Sequence, residues 1–302
     1  MTTPHVTLVL GAGGPVGRAF HAGVLRALAD GCGWDPRRAD AIVGTSAGAQ
    51  VGALLRAGWD AHRLLQRSRD AAPPATPSRA HRRWPSSPAY LRAVAARPWQ
   101  ARLGPLVAAL VPERASPAQP TAGGAHLGDA LHRVFAGRWP HRPLWIPAVH
   151  ADSGARVVFG RRDAPSIDVA TAVRCSSAVP GLRPPVQVGD ERYVDGGIRS
   201  PTHADLALDT APSARRRTIV VLSPLSRFAP LRWLLRWELL PALRSGLDVI
   251  VFEPDRAVAG AMGWNPMDAR RASAVAEAAY RGTRRRLERS DAAAAVRLLV
   301  GA

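Results

Sequence analysis

Residues 39–58 read ADAIVGTSAGAQVGALLRAG, and the pentapeptide Gly44-Thr45-Ser46-Ala47-Gly48 within them constrains this chain more than any other stretch. Ala41-Ile42-Val43 is a short apolar run of strand type, and Ala47 to Ala57 is rich in the Ala and Leu that favour helix. A strand that turns at once into a helix strains the residue at the turn. Only small residues two positions to either side, here Gly44 and Gly48, let the backbones pass. Such a turn exposes Ser46 at the helix N-terminus, where unpaired N–H groups and the positive dipole end favour an anion such as a tetrahedral intermediate. The same spacing also suits a serine that merely caps the helix. Partners elsewhere in the chain must decide between the two.

The first candidate partner is near the N-terminus. His5 to Leu10 is a buried-strand run that stops at Gly11-Ala12-Gly13-Gly14-Pro15-Val16-Gly17-Arg18, and a helical stretch follows from Ala19 to about Ala29. Strand, glycine loop and helix together form an anion cradle, because glycines let successive backbone N–H groups point at one centre. A dinucleotide pyrophosphate is one ligand to weigh. The glycine spacing fails the Rossmann fingerprint, however, and Pro15 removes a donor. The oxyanion of an acyl-transfer intermediate, held by the N–H groups of Gly13 and Gly14, fits better beside a serine elbow. The second candidate is Asp195-Gly196-Gly197, delivered by the short strand Arg192-Tyr193-Val194. A carboxylate at a strand end before a donor-rich turn is a good place for a base, although Asp-Gly is also a common turn dipeptide.

At 302 residues and 47% hydrophobic, the chain is long and apolar enough for one large α/β domain or two small ones. Residues 60–127 change character, with Pro, Arg, Ser and Trp dominating and short helical pieces around 88–97 and 103–111. They read as a cap-like insertion over the strand ends, or as a plain surface excursion. No apolar run approaches a membrane span, and no signal peptide is expected. Two cysteines without a C-x-x-C pattern argue against a disulfide scaffold or a zinc knuckle and make a cytoplasmic setting the default.

The formal charge is +18, and every one of the 41 basic residues is Arg. Coding bias accounts for such a composition as readily as function does. Either way, the surface attracts anionic membranes or nucleic acid non-specifically, and Arg suits a phosphate headgroup. Residues 231–244, LRWLLRWELLPALR, form a basic amphipathic helix, kinked or ended by Pro241. It is a candidate for docking on an anionic membrane, and equally for packing on the core with solvated arginines.

Taken in order, the glycine loop 11–18, the elbow 44–48 and Asp195-Gly196-Gly197 resemble the three signature blocks of patatin-like phospholipases. The stretches 172–188, 193–206 and 263–271 are similar to the family's text as well. The resemblance implies a three-layer α/β/α fold with a mostly parallel central sheet, in a single domain over 1–302. It implies a Ser–Asp dyad, with Ser46 as nucleophile and Asp195 as general base, and an oxyanion hole that includes Gly13 and Gly14. No metal or organic cofactor is implied. Two departures stand out: Val16 occupies the place where the family commonly has Arg or Lys, and His203 stands where Asn is common. A reader seeking a triad would recruit His203, His21 or His150, although a lone His is more often structural.

The expected function is hydrolysis of a lipid or phospholipid ester through an acyl-enzyme, with peripheral contact to an anionic membrane and no specific nucleic acid. Two rivals are a nucleotide-binding protein that uses the 11–17 loop and a non-catalytic Arg-rich binder of membrane or nucleic acid. Neither accounts for three blocks in order.

Overall fold

The computed structural model describes residues 4–70, 122–210 and 216–289. Its frame is a mixed sheet in which strand order, not chain order, sets the function. β1 (His5–Leu10) lies between β2 (Ala41–Gly44) and β7 (Arg217–Leu222), parallel to both, and β8 (Asp248–Phe252) extends the parallel part beyond β7. On the other side, β3 (Leu144–His150) runs parallel to β2. Residues Ala148 and Val149 of β3 pair with both β4 (Arg156–Phe159) and β6 (Glu191–Asp195), so these two antiparallel strands occupy its opposite edges. β5 (Val186–Val188), too short to announce itself in the sequence, pairs antiparallel with β6.

Alternation along β1 explains the layers. Val6, Leu8 and Leu10 point into a core shared with Phe20, Leu25 and Leu28 of α1 (Gly14–Cys32) and Val275 and Ala279 of α8 (Ala272–Leu287). Val9 faces the other way, onto Leu206 and onto Leu235 and Leu239 of α6 (Ala229–Arg244). A period of two thus buries both faces of the strand, and helices must cover each. Each fully buried Leu or Phe here contributes about 1.5–3 kcal/mol relative to exposure. The result is the expected three-layer α/β/α arrangement around a mostly parallel sheet.

Several helix boundaries depart from the sequence reading. α1 starts at Gly14, inside the glycine stretch, because Pro15 sits in the first turn where its missing N–H is not needed. α2 (Ala47–Arg56) follows β2 directly. Within the span expected as a cap, the described flanks belong to the body. α3 (Ala61–Arg69) buries Leu64 and Leu65 in the main core, and α4 (Ala122–Phe135) contributes Leu127 and Leu131. The pieces expected at 88–97 and 103–111 lie outside the described residues. α5 (Val169–Ser176) precedes β5, and α7 (Arg256–Met262), which no periodicity marked, follows β8. α6 runs through Pro241 to Arg244 without ending there: the proline is on the exposed side, where water can take the carbonyl it leaves unbonded.

Helical glycines give a direct check of this packing. A methyl on Gly23 of α1 would run into the Ala276 carbonyl of α8, whereas one on Gly260 of α7 would meet nothing within 4 Å. Helix propensity alone favours Ala at both by up to about 1 kcal/mol. Gly260→Ala is therefore expected to raise the stability measured by urea unfolding, and Gly23→Ala to lower it by about 1–3 kcal/mol. A neutral or stabilising Gly23→Ala would contradict the α1–α8 contact.

Candidate active site

The turn after β2 has the strain that the glycine spacing called for. Ser46 adopts φ 54 and ψ −111, a conformation rarely seen outside glycine. A Cβ on Gly48 would overlap the Leu10 carbonyl of β1, and one on Gly44 would stand 2.6 Å from the Gly48 oxygen. Thr45 N–H donates to Leu10 O at 3.0 Å, tying the turn to β1. Ser46 N–H donates to Ser176 Oγ at 2.9 Å, and Ser176 in turn donates to Pro147 O at 2.6 Å. The Ser46 side chain forms no capping bond to α2. A plain helix cap is thereby excluded.

Asp195, the last residue of β6, lies with Ser46 in one pocket. Its Oδ1 accepts the Gly197 N–H at 2.7 Å. The Ser46 hydroxyl is within hydrogen-bonding reach of the carboxylate, yet Oδ2 is buried without a partner of normal hydrogen-bond geometry. The two groups are neighbours that have not closed on each other, as is common in unliganded sites. Burial pushes the Asp195 carboxyl up to about 6. The Ser46 hydroxyl, the Gly197 N–H and the Arg183 charge pull it back. Gly196 packs on the Pro147 carbonyl, with no room for a side chain.

Gly13 and Gly14 line the same pocket. Around them Gly11 N–H is bonded to Leu222 O, Ala12 N–H to Pro201 O, Val16 N–H to Pro266 O and Gly17 N–H to Gly13 O. Among the described residues the N–H groups of Gly13 and Gly14 have no acceptor, so the two free donors are those at the pocket. Gly14 has φ +60, and a Cβ there would come 2.7 Å from Pro266 O. The N-termini of α1 and α2 thus both open onto the pocket that holds Ser46, and the positive ends of both dipoles favour an anion between them.

None of the three histidines raised by the sequence lines this pocket. His21 is buried, its pKa pushed down to about 4 by burial, and its Nε2 bonds Gly11 O at 2.7 Å. It is a neutral brace for the first loop. His203, with φ 49, donates from Nε2 to Gly196 O at 3.0 Å and braces the turn after Asp195. His150 pairs with Glu191 at the exposed end of β3. It forms with Asp152 and Glu191 a cluster of three possible metal ligands on the surface, in which Asp152 is already paired with Arg192.

Four polar residues of the site escaped the sequence reading. Ser176 anchors the elbow amide, Gln50 joins Arg18 to Ser177, and Arg183 lines the pocket wall. Glu238 of α6 is buried and accepts from Thr202 Oγ1 at 2.6 Å and Ala204 N–H at 3.0 Å, clamping the loop after Asp195. None sits in a local motif. The proximity of 172–188 to the Asp195 block was the one available hint for Ser176 and Arg183.

A family model described as patatin-like phospholipase matches residues 8–208. No curated protein matches the chain in sequence. Among solved structures, the chain is similar to the type III effector protein ExoU, at 17% identity and a TM-score of 0.39, over 93% of this chain and 53% of that one. It is also similar to VipD from Legionella pneumophila, at 12% identity and a TM-score of 0.40, over 94% of this chain and 66% of that one. This chain therefore spans less than two thirds of the length of either, and likeness at that level carries no argument about activity or partners. The family match, in contrast, covers more than half of the chain and contains the glycine loop, the elbow and Asp195; this protein belongs to the patatin-like phospholipase family.

Proposed function

We propose that this protein is a serine lipid acyl hydrolase that cleaves carboxylic esters of lipids with a Ser46–Asp195 dyad. The observation that carries this reading is the unpartnered, buried Oδ2 of Asp195 beside a serine hydroxyl that caps nothing. As Ser46 Oγ attacks the ester carbonyl, Asp195 Oδ2 takes its proton. The carbonyl oxygen becomes an oxyanion under the Gly13 and Gly14 N–H groups. Collapse of the intermediate expels the alcohol, which carries away the proton from Asp195. Water then attacks the acyl–Ser46 ester with Asp195 as base, releasing the fatty acid and restoring the serine. A carboxylate at its ordinary pKa is a poor base for a hydroxyl, so the upward shift from burial makes the dyad workable near neutral pH.

The test is labelling of the full chain with a fluorophosphonate ester, together with turnover of a short-chain ester. Wild type should label; Ser46→Ala should not, and Asp195→Asn should lose about 10²–10⁴-fold in rate. Equal labelling of Ser46→Ala would move the nucleophile elsewhere.

The shift of Asp195 fixes two pH dependences. The rate should rise with pH through about 6 as the carboxyl ionises. Stability runs the other way: with its folded pKa raised from 3.8 to about 6, Asp195 stabilises fully below 3.8, and that contribution fades as pH rises through about 6. Asp195→Asn is thus expected to exceed wild type by up to about 3 kcal/mol at pH 8 and to match it near pH 4, in urea unfolding. Equal stabilities at pH 8 would show that Asp195 carries no buried charge.

The reading includes peripheral contact with an anionic membrane. α6 buries Leu231, Leu234 and Leu235, while Trp233 and Trp237, 56% and 57% exposed, stand on its outer side with their rings 5.6 Å apart. Arg232, Arg236 and Arg244 lie among them. Trp264, 84% exposed, is two residues from Pro266 at the pocket wall. Aromatic rings beside guanidinium groups suit the headgroup boundary of a bilayer. Among the described residues no helix is long and apolar enough to cross one. Trp233→Ala/Trp237→Ala in a Ser46→Ala chain should weaken partition onto phosphatidylglycerol vesicles about tenfold, and added salt should weaken wild-type binding. Unchanged partition would rule out this face.

A further inference from the structure

α6 carries one acid, at a place where its spacing calls for an apolar side chain. Leu231, Leu234 and Glu238 recur at i, i+3 and i+7 and so share one face of the helix. Leu231 and Leu234 pack with Ala12 of the first glycine loop. Glu238, one turn on from Leu234, directs its carboxylate to the loop after Asp195. There it meets three donors: the Ser200 hydroxyl, the Thr202 hydroxyl at 2.6 Å and the Ala204 N–H at 3.0 Å. Burial and the charge of Asp205 push the Glu238 carboxyl up, and the three donors pull it back. An apolar residue here would spare the fold the cost of taking a carboxylate out of water. What the carboxylate supplies instead is a fixed course for the loop.

From that loop, bonds run to both halves of the site. Ser200 Oγ accepts the Thr202 and His203 N–H groups at 3.2 and 2.8 Å. The Arg199 and Ser200 N–H groups and His203 Nε2 all donate to Gly196 O. The turn held in this way presents the Gly197 N–H to Asp195 Oδ1 at 2.7 Å, which fixes the direction of the free Oδ2. On the other side, Pro201 O accepts the Ala12 N–H at 2.7 Å, one residue before the free donor of Gly13.

We infer that Glu238 is a positioning residue, which through the loop 196–204 sets where the Asp195 carboxylate and the Gly13 and Gly14 donors stand relative to each other and to Ser46. Its effect on rate rests on the hydrolase reading; its hold on the two loops does not. A misplacement of about 1 Å in such a constellation costs roughly 100-fold in rate. Ester binding is affected far less, because apolar lining residues such as Leu127, Val173 and Met267 lie outside the clamped loop.

The experiment is Glu238→Gln in the full chain. Glutamine keeps the volume but has one acceptor oxygen, and it places an NH2 where a donor already points. With p-nitrophenyl butyrate as a monomeric substrate, kcat should fall about 10- to 100-fold while KM stays within about twofold. Fluorophosphonate labelling of Ser46 should slow by a similar factor. Amide hydrogen exchange followed by NMR should speed up at Ala12, Gly197 and Ala204. It should stay as in wild type at Thr45, whose N–H is bonded to Leu10 O away from the clamp. A merely structural Glu238 gives another pattern: lower stability in urea, exchange raised at Thr45 as much as at Ala12, and an unchanged kcat in the folded protein. That pattern overturns the inference, as does a rise in KM at constant kcat. Unchanged exchange at Ala12 overturns it even where kcat falls. If wild type neither turns over the ester nor labels, the hydrolase reading falls. Exchange then decides the hold on the loops alone: a rise confined to Ala12, Gly197 and Ala204 supports it, and no rise at Ala12 refutes it.

Discussion

The site depends on how closely the first turn of α2 can approach β1. Gly48 rests on the Leu10 carbonyl, where no side chain fits, and the same carbonyl accepts the Thr45 N–H at 3.0 Å. This contact locks the elbow to the very end of the strand that feeds the first glycine loop. Serine donors and oxyanion donors are therefore placed by one parallel register, Leu10 opposite Gly44. The left-handed backbone of Ser46 costs roughly 1–3 kcal/mol, and the Ser176 and Pro147 bonds hold it in place. Strain of this kind survives only where the surroundings leave the chain no other course.

A second constraint is electrostatic. Two carboxylates, Asp195 and Glu238, lie buried on either side of the loop 196–204, and both have pKa values raised chiefly by burial. They are handled differently. Glu238 receives hydrogen bonds from Thr202 and Ala204 and serves as a clamp. Asp195 receives one strong bond, from Gly197, and keeps an oxygen free. The clamp matters to the other side of the site as well, because Pro201 O in the same loop accepts the Ala12 N–H at 2.7 Å, just before the free donors of Gly13 and Gly14. Base and oxyanion loops are thus fastened to each other, and α6 is fastened to both through Glu238.

What the sequence made legible follows the range of the interactions. Strands β1 and β2 were readable from apolar runs, and the elbow from glycines two positions either side of Ser46, because those signals are local. The start of α1 was misplaced by five residues, since Gly14 and Pro15 read as loop when their roles are set by position in the first turn. β5 and α7 were too short to carry a period. Ser176, Gln50, Glu238 and Arg183 were beyond reach for another reason. Ser176 meets Ser46 across 130 residues, and a hydroxyl or amide satisfied at that range leaves no pattern nearby. His203 was noticed only as a departure from a family's text; its meaning, a brace on the Gly196 carbonyl, needed coordinates.

The arginine excess illustrates why composition is a poor guide to function. Much of it is structural here: Arg56 donates to the carbonyls of Arg37, Ala39 and Pro143, Arg217 to those of Ala207 and Leu208, and Arg286 to that of Val251. These guanidiniums tie off chain ends that would otherwise need water or a cap. Arg63 and Arg161 lie over Trp59 and Trp145, and Arg286 also covers the Phe252 ring. Once such uses are set aside, a charge of +18 no longer argues for a polyanionic partner. The informative cations are those held partly out of water with no ion-pair partner among the described residues, and on this protein they include Arg18 and Arg183 on the wall of the pocket that holds Ser46. Function is better read from where charge goes uncompensated than from how much of it there is.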